Sequence, residues 1–195
     1  DDASFRTAVT RLLRAAKYEV RGYASASEFF DSEPCADPGC ILVDLKMPRV
    51  SGLDLQESLA RMEEQLPIIF LTGHGDIPAS VRAVKAGAVD FLTKPVPREK
   101  LLRAIQNALD VDAQNRAARS VLHGLQSRYE NLTQREREVL AHVISGKLNK
   151  EIAFDLGTSE RTIKAHRASI MAKLDMESVA ELVRFAEVLG IRPIA

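Results

Sequence analysis

The chain has 195 residues, 46% of them hydrophobic and 28% charged, and its 27 Lys and Arg side chains balance its 27 Asp and Glu side chains. This composition is typical of a folded globular protein and excludes a disordered chain or one that is basic over its whole surface. No apolar run approaches the roughly 18 residues of a membrane helix, and no secretory signal pattern opens the sequence. We therefore expect a cytoplasmic protein without a membrane partner.

Up to about residue 97 the sequence alternates short apolar runs with helical patterns. Phe5, Val9 and Leu12 repeat at helical spacing, and the alternation that follows predicts a strand over residues 18–24. Two continuous apolar runs, CILVD and PIIFLT, are typical of strands buried on both faces. A helical stretch then separates PIIFLT from one more strand, AVDFLTKP. Strands that alternate with helices predict an α/β fold with a doubly wound parallel sheet.

Three polar side chains stand at the carboxyl ends of these predicted strands, namely Asp44, Thr72 and Lys94. Ligands of parallel α/β sheets bind at that edge, so the spacing predicts that the three side chains converge on one site. A carboxylate there can accept a phosphoryl group if a divalent cation neutralises the incoming charge and cationic or hydroxyl groups hold the phosphoryl oxygens. Asp1 and Asp2 are candidate ligands for Mg²⁺, which prefers hard oxygen donors.

Beyond the last predicted strand the sequence predicts only helices. We assign residues 110–128 to a helical linker between a domain of residues 1–109 and a domain of residues 129–195. The first ten residues of the linker look too polar to bury a face. The later part keeps an apolar 3-4-3 spacing, typical of a short coiled-coil seam that packs on this chain or on a second copy. Thr133 and Glu136 then fit a capping box at the start of the next helix.

The last third of the sequence combines a tight turn with a basic helix. Residues 147–173 contain six Lys or Arg against three acids, which indicates a partner for one face of the protein. Two helices joined by a turn at Gly157 can place the second helix in a DNA major groove. With Ile163 facing inward, a rotation of 100° per residue turns Arg161 and Ala165 outward.

This face suggests which side chains contact DNA. We assign base contacts to Arg161, Lys164 and Ala165, the last through a thymine methyl group. Lys150 and Arg167 lie at the rim of the face, and we expect them to bind phosphates.

The motifs LVDLKMPRVSGLDL, FLTGHGD and VDFLTKP, together with the leading acids DDASFR, resemble the receiver domain of a two-component response regulator. The resemblance covers residues 1 to about 110 and implies a flavodoxin-like fold. It implies that a histidine kinase transfers a phosphoryl group to Asp44 and that Lys94 contacts this group. It further implies that Thr72 and Phe91 form a switch pair.

The same resemblance implies a Mg²⁺ site. In that family the leading acids, here Asp1 and Asp2, join the acceptor Asp44 and the backbone carbonyl group of Lys46 as ligands. Family receivers begin with a strand ahead of the acid pair, whereas this sequence begins on the acids. We therefore expect a sheet without its first strand here, and about ten further residues ahead of Asp1 in the intact protein.

The stretch LTQREREVLAHVISGKLNKEIAFDLGTSERTIKAHRASIMAKL resembles the LuxR-type helix-turn-helix of NarL/FixJ regulators, and the resemblance extends to about Phe185. It adds Thr162 to the predicted DNA-binding residues. It also implies that phosphorylation allows homodimerisation or releases the DNA-binding domain, so that dimers span two half-sites about one helical turn apart. The motifs TGHGD and AGAVDFLTKP look closest to the FixJ-like branch.

The predicted function is therefore that of a transcriptional response regulator, not of an enzyme. Its expected partners are promoter DNA, a sensor histidine kinase and a second copy of the chain. One alternative is a constitutive DNA-binding protein with a vestigial receiver. Another is an aspartyl-nucleophile phosphatase of the haloacid-dehalogenase kind, but such enzymes have a second aspartate two residues after the nucleophile, where this chain has Lys46.

Overall fold

The computed structural model describes residues 3–32, 38–48, 50–61, 66–73 and 77–194. The chain divides into two compact units, residues 1–115 and residues 116–195. Among the described residues, three strands form one parallel sheet in the order β1-β2-β3: β1 Ile41–Asp44, β2 Ile68–Thr72 and β3 Asp90–Thr93. Four helices accompany the sheet: α1 Ala3–Ala15, α2 Ala26–Phe30, α3 Gly52–Leu59 and α4 Ile77–Lys85.

The central strand β2 is buried on both faces, as its continuous apolar sequence predicts. Because side chains alternate along a strand, Ile68 and Phe70 enter one core while Ile69 and Leu71 enter another. The first core also contains side chains of α2, α3 and α4, and the second contains side chains of α1 and of the helix that follows β3. Helices therefore cover both faces of the sheet, which confirms the predicted doubly wound α/β fold.

The register of the sheet brings the three strand ends together. Asp44 of β1 pairs with Leu71 of β2, and Thr72 of β2 pairs with Thr93 of β3. The carboxyl ends of all three strands therefore lie at one edge, and each strand contributes its last residues to the same place.

The prediction of a strand over residues 18–24 is wrong, because the segment from Tyr18 to Tyr23 is irregular in the structure. An extended segment becomes a strand only beside a partner that completes its hydrogen bonds. Within the described residues, β1 pairs only with β2, and an apolar groove of about 440 Å³ lies between β1 and this segment. The strand expected ahead of Asp1 stays a prediction.

A single helix, α5 Arg98–Glu130, follows β3 and runs through the predicted linker. Its polar stretch does bury a side chain, contrary to the expectation from composition. Asp112 is fully buried, and its Oδ2 atom accepts a hydrogen bond of 2.9 Å from the backbone N–H of Gly39. Although α5 has 33 residues, none of the helices in the described ranges is both long and apolar enough to cross a membrane.

In the described residues of the second unit, the regular secondary structure consists of helices alone. After the end of α5 it contains α6 Gln134–Ile144, α7 Asn149–Asp155, α8 Glu160–Leu174 and α9 Val179–Val188. Its core joins side chains from all four helices, and Leu125, Tyr129 and Leu132 pack against or into it. The last three positions of the predicted 3-4-3 spacing thus serve this core, whereas its first position, Leu122, is exposed.

Candidate functional site

Asp44 is the last residue of β1, and its carboxylate lies at the carboxyl edge of the sheet. The side chain is 19% exposed, so it is sheltered but reachable from solvent. Its Oδ1 atom accepts a hydrogen bond of 3.2 Å from the backbone N–H of Lys46. This bond fixes the direction of the carboxylate at the open edge of the sheet.

The turn that follows Asp44 requires a glycine. The backbone N–H of Gly52 donates to the carbonyl oxygen of Leu45 at 3.1 Å, which brings the start of α3 against the end of β1. A Cβ atom at position 52 would lie 2.5 Å from the carbonyl oxygen of Asp44 and 2.8 Å from the ring of Phe70. Only glycine allows this approach, so Gly52 shapes the loop beside the acceptor.

Lys94 follows the end of β3 and reaches back to Asp44. Its backbone N–H donates to the carbonyl oxygen of Thr72 at 2.7 Å, and the Lys94–Pro95 peptide bond is cis. The ammonium nitrogen Nζ lies 2.6 Å from Asp44 Oδ2 in a charge-assisted hydrogen bond. Two of the three predicted strand-end side chains are therefore in direct contact.

Thr72 lies on β2, the neighbour of the acceptor strand β1, and Phe91 lies on β3 beyond it. Thr72 is 1% exposed and ends β2, next to β1, which carries Asp44. Phe91 is half-buried in β3, and its ring centroid lies 6.2 Å from that of Phe70. Phe91 pairs with Phe70 two residues before the end of β3, so of the two only Thr72 lies at the carboxyl edge. Their predicted role as a switch pair stays a prediction.

The carboxylate of Asp44 and the backbone carbonyl of Lys46 offer oxygen donors of the kind that Mg²⁺ prefers. Asp1 and Asp2, the other predicted ligands, lie outside the described residues. In the ranges that the structure describes, no group of three or more His, Cys, Asp and Glu side chains could hold a metal ion. The described donors fit Mg²⁺ but form only part of a coordination shell.

An aromatic side chain near Lys94 was not predicted. The ring centroid of Phe5, on α1, lies 4.1 Å from Lys94 Nζ. The helical spacing of Phe5 indicated only a buried face, and no local pattern connects it to a lysine 89 positions later. Such a contact follows from the tertiary structure alone.

The turn between α7 and α8 is closed by a side chain from α6. Gly157 has a φ of +61°, a left-handed conformation in which glycine is favoured. Arg135 donates through Nη2 to the carbonyl oxygen of Leu156 at 2.5 Å, which ties the end of α7 to α6. Ser159 caps α8 and accepts a hydrogen bond of 3.2 Å from the backbone N–H of Thr162. These contacts form the predicted helix-turn-helix geometry.

The predicted DNA-contacting residues fall mostly on one exposed face. Ile163 is fully buried, and the exposed members of the set are Lys150, Arg161, Thr162, Lys164 and Ala165. Arg167 is half-buried and donates through Nη1 to Asn149 Oδ1 at 3.1 Å. The arrangement leaves the side chains assigned to base contacts open to a partner.

Glu136 joins α6 to the candidate recognition helix α8. Its carboxylate closes the predicted capping box with Thr133, and it also accepts hydrogen bonds from Ser169 Oγ at 2.6 Å and Lys173 Nζ at 2.7 Å. Burial raises the pKa of Glu136, but these bonds outweigh burial and lower the pKa to about 2. The sequence indicated the cap, whereas the contacts with α8 were missed.

Comparisons with known proteins identify the class. Residues 1–106 match the response regulator receiver domain, and residues 130–186 match the bacterial regulatory proteins of the luxR family. The chain belongs to the response regulators that join a receiver domain to a LuxR-type DNA-binding domain. This confirms the predicted family and fold class.

Two curated relatives and one solved structure support the assignment. Response regulator protein TmoT of Ectopseudomonas mendocina is 44% identical over 187 residues, which cover 96% of this chain and 85% of that protein. Transcriptional regulatory protein FixJ of Rhizobium meliloti (strain 1021) is 37% identical over 193 residues, which cover 99% of this chain and 95% of that protein. A low-resolution structure of response regulator StyR has a TM-score of 0.81 at 44% identity, covering 95% of this chain and 94% of that chain.

Proposed function

We propose that Asp44 accepts a phosphoryl group from a sensor histidine kinase and that this modification controls DNA binding through α8. The observation that carries the proposal is the contact between Asp44 Oδ2 and Lys94 Nζ at 2.6 Å, at the edge of the sheet where parallel strands present their ligands. Both side chains are 19% exposed, which shelters the pair and still admits a phosphodonor.

The chemistry is a transfer between two nucleophiles. A carboxylate oxygen of Asp44 forms a bond to phosphorus, while the bond from phosphorus to the donor histidine nitrogen breaks and that nitrogen keeps the electron pair. The Lys94 ammonium group is close enough to pair with the carboxylate before the transfer and with the phosphoryl oxygens after it. The backbone N–H of Lys46 holds the second carboxylate oxygen in place during the transfer.

Mg²⁺ is part of the proposal. Asp44 and the carbonyl oxygen of Lys46 would hold it together with the predicted acids Asp1 and Asp2. When bound, it would neutralise part of the negative charge that meets at the acceptor.

The modification would act through charge and packing. A phosphoryl group adds about one and a half to two negative charges at pH 7. Thr72 would turn its hydroxyl group toward the phosphoryl oxygens, and Phe91, half-buried beside Phe70, would move into the space that Thr72 leaves. This change at the edge of the sheet would bias the surface of the receiver between two states.

The second unit supplies the output. Arg161, Lys164 and Ala165 would read base edges in the major groove, with Thr162 on the same helix and with Lys150 and Arg167 on the phosphates. Phosphorylation would promote a homodimer that spans two half-sites about one helical turn apart. We propose a cytoplasmic location as well, because the protein would meet its DNA there.

The test uses the full chain with any upstream residues restored. The protein is incubated with Mg²⁺ and acetyl phosphate, and the intact mass is followed for wild type, Asp44→Asn and the control Asp54→Asn. Asp54 caps α3 and lies outside the acceptor site, so its variant should gain one phosphoryl group as wild type does. We expect Asp44→Asn to gain none.

The phosphorylated and unmodified forms are then compared on duplex DNA selected by the protein from a random pool. We expect tighter binding by the phosphorylated form. Equal binding would indicate a constitutive DNA-binding protein with a vestigial receiver. Phosphoryl uptake by Asp44→Asn at the wild-type rate would refute the assignment of the acceptor. We propose that the chain is not an enzyme. Steady turnover of a small phosphate ester would contradict this and would indicate a phosphatase.

A further inference from the structure

The Lys94 ammonium group contacts a charge and an aromatic ring. Its Nζ atom lies 2.6 Å from Asp44 Oδ2 and 4.1 Å from the ring centroid of Phe5. A cation within about 6 Å of a ring centroid is attracted by the negative face of the ring. The ring is therefore close enough to act on the same ammonium group that pairs with the acceptor.

Phe5 is anchored by the core beneath it. Phe5, Val9 and Leu12 repeat along one face of α1, and all three pack against the core that contains Leu71 and Leu92. The ring is half-buried, so its position is set by the packing of α1 on the sheet. Lys94 by contrast carries its charge on a flexible four-carbon chain.

We infer that Phe5 is a positioning residue for phosphoryl uptake, whose ring holds the Lys94 ammonium group beside Asp44. This inference rests on the proposed role of Asp44 as the acceptor. Negative charge shifts from the carboxylate toward the phosphoryl oxygens during the transfer. A cation that is already in place need not lose side-chain freedom or reorganise when that charge develops. The ring acts through Lys94 and touches neither reacting atom.

Removal of the ring should slow the transfer. With acetyl phosphate as donor, an Asp44 oxygen bonds to phosphorus, the phosphorus–oxygen bond to the acetyl group breaks, and acetate leaves with the electron pair. Phe5→Leu keeps an apolar side chain on α1 and removes the π face. We expect the rate of adduct formation in the full chain with Mg²⁺ to fall by about fivefold, within the range of measured cation–π contacts.

A series of fluorinated phenylalanines at position 5 separates the electrostatic role from packing. Fluorine atoms withdraw negative charge from the ring face while the ring keeps its shape. The rate should fall stepwise from phenylalanine to 4-fluoro- and 3,4,5-trifluorophenylalanine. A flat series would overturn the inference, because a packing role depends on shape alone.

A double-mutant cycle tests whether the effect passes through Lys94. In a Lys94→Met protein, which should take up the phosphoryl group more slowly, Phe5→Leu should cause no further loss. The same fivefold loss in both backgrounds would overturn the inference. Val9→Ala is the matched control, since it removes apolar contacts from the same face of α1 and should leave the rate unchanged.

A further measurement does not depend on phosphoryl transfer. The ε-methylene proton signals of Lys94 should show an upfield ring-current shift in wild type that disappears in Phe5→Leu. Equal chemical shifts in the two proteins would overturn the contact.

If wild type gains no phosphoryl mass at Asp44, the proposed function fails and the inference fails with it. Adduct formation at equal rates in wild type and Phe5→Leu overturns the inference alone.

Discussion

Glu136 shows how much one buried carboxylate can contribute to the second unit. The side chain is 4% exposed, and its Oε2 atom accepts hydrogen bonds from the Thr133 backbone N–H, the Thr133 hydroxyl group and Lys173. Its Oε1 atom accepts from Ser169. Every one of these bonds favours the charged form, so they oppose the effect of burial.

The free energy of unfolding should therefore depend on pH through Glu136. Its pKa is about 2 in the folded protein and near 4.5 in the unfolded chain, so the folded state binds the proton more weakly. The stabilisation is fully present above pH 4.5 and is lost as the pH falls toward 2. The difference in pKa corresponds to about 3 kcal/mol.

Urea unfolding of wild type and Glu136→Gln between pH 2 and pH 7 measures this contribution. We expect the glutamine variant to be less stable at pH 7 and the difference to shrink steadily below pH 4.5. Glu187→Gln, at an exposed position of α9, is the control for the loss of one carboxylate. A difference between wild type and Glu136→Gln that stays constant with pH would contradict the prediction.

At the scale of single residues, the sequence predicted contacts that follow from regular geometry. Asp44 and Lys94 meet because parallel strands end at one edge, a consequence of the fold class. Asp112 was assigned to a polar stretch, because nothing local distinguishes a helix carboxylate that is buried from one that is solvated. Its hydrogen bond partner Gly39 lies 73 positions away, and only the packing of α5 brings the two together.

Among the helices, α7 has an unusual N-cap residue. Its N-cap is Leu148, which has no side-chain acceptor and is 69% exposed, whereas the N-cap of α8 is Ser159. The Leu148 N–H donates to Glu151 Oε2 at 2.7 Å, but Leu148 has no side-chain oxygen to accept from the first N–H groups of α7. The start of α7 is therefore less stable than it could be.

Leu148→Ser should stabilise the second unit by about 1 kcal/mol, because a serine hydroxyl group can accept from the N–H of the second or third helical residue. The exposed leucine side chain contributes little burial in exchange. Urea unfolding of the full chain, followed by helix content, measures the gain. Ser159→Ala is the matched control and should lose a similar amount, since it removes the corresponding bond from α8. A neutral or destabilising Leu148→Ser would show that the leucine makes an unrecognised packing contribution.

Among the elements, the buried strands were predictable and the segment from Tyr18 to Tyr23 was not. PIIFLT is apolar at every position and fits a strand that is covered on both faces. The alternation of residues 18–24 describes a strand with one buried face, but a local pattern cannot show whether a neighbouring strand is there to pair with it. The same pattern is compatible with an extended segment along a groove.

At the scale of the whole molecule, each unit has hydrophobic cores of its own, and the single helix α5 contributes residues to both units. The sheet has a core on each face, the second unit has its own, and in the described chain no side chain belongs to cores of both units. Residues 113–124 of α5, all of them described, include no buried side chain. The stretch ends on Gly124, which disfavours a helix by about 1 kcal/mol relative to alanine. A helix with these features couples the folding of its two ends only weakly.

We therefore expect the two units to unfold in separate transitions, as multidomain chains commonly do. Ile69 in the sheet and Ile152 in α7 are both fully buried, so Ile69→Val and Ile152→Val form a matched pair that removes one methylene group from each unit. Each should lower the stability of its own unit by about 1 kcal/mol and leave the other unchanged. Hydrogen exchange followed by mass spectrometry along a urea series assigns each transition to its residues. If either substitution shifts both transitions equally, α5 transmits stability between the units and the chain folds as one cooperative body.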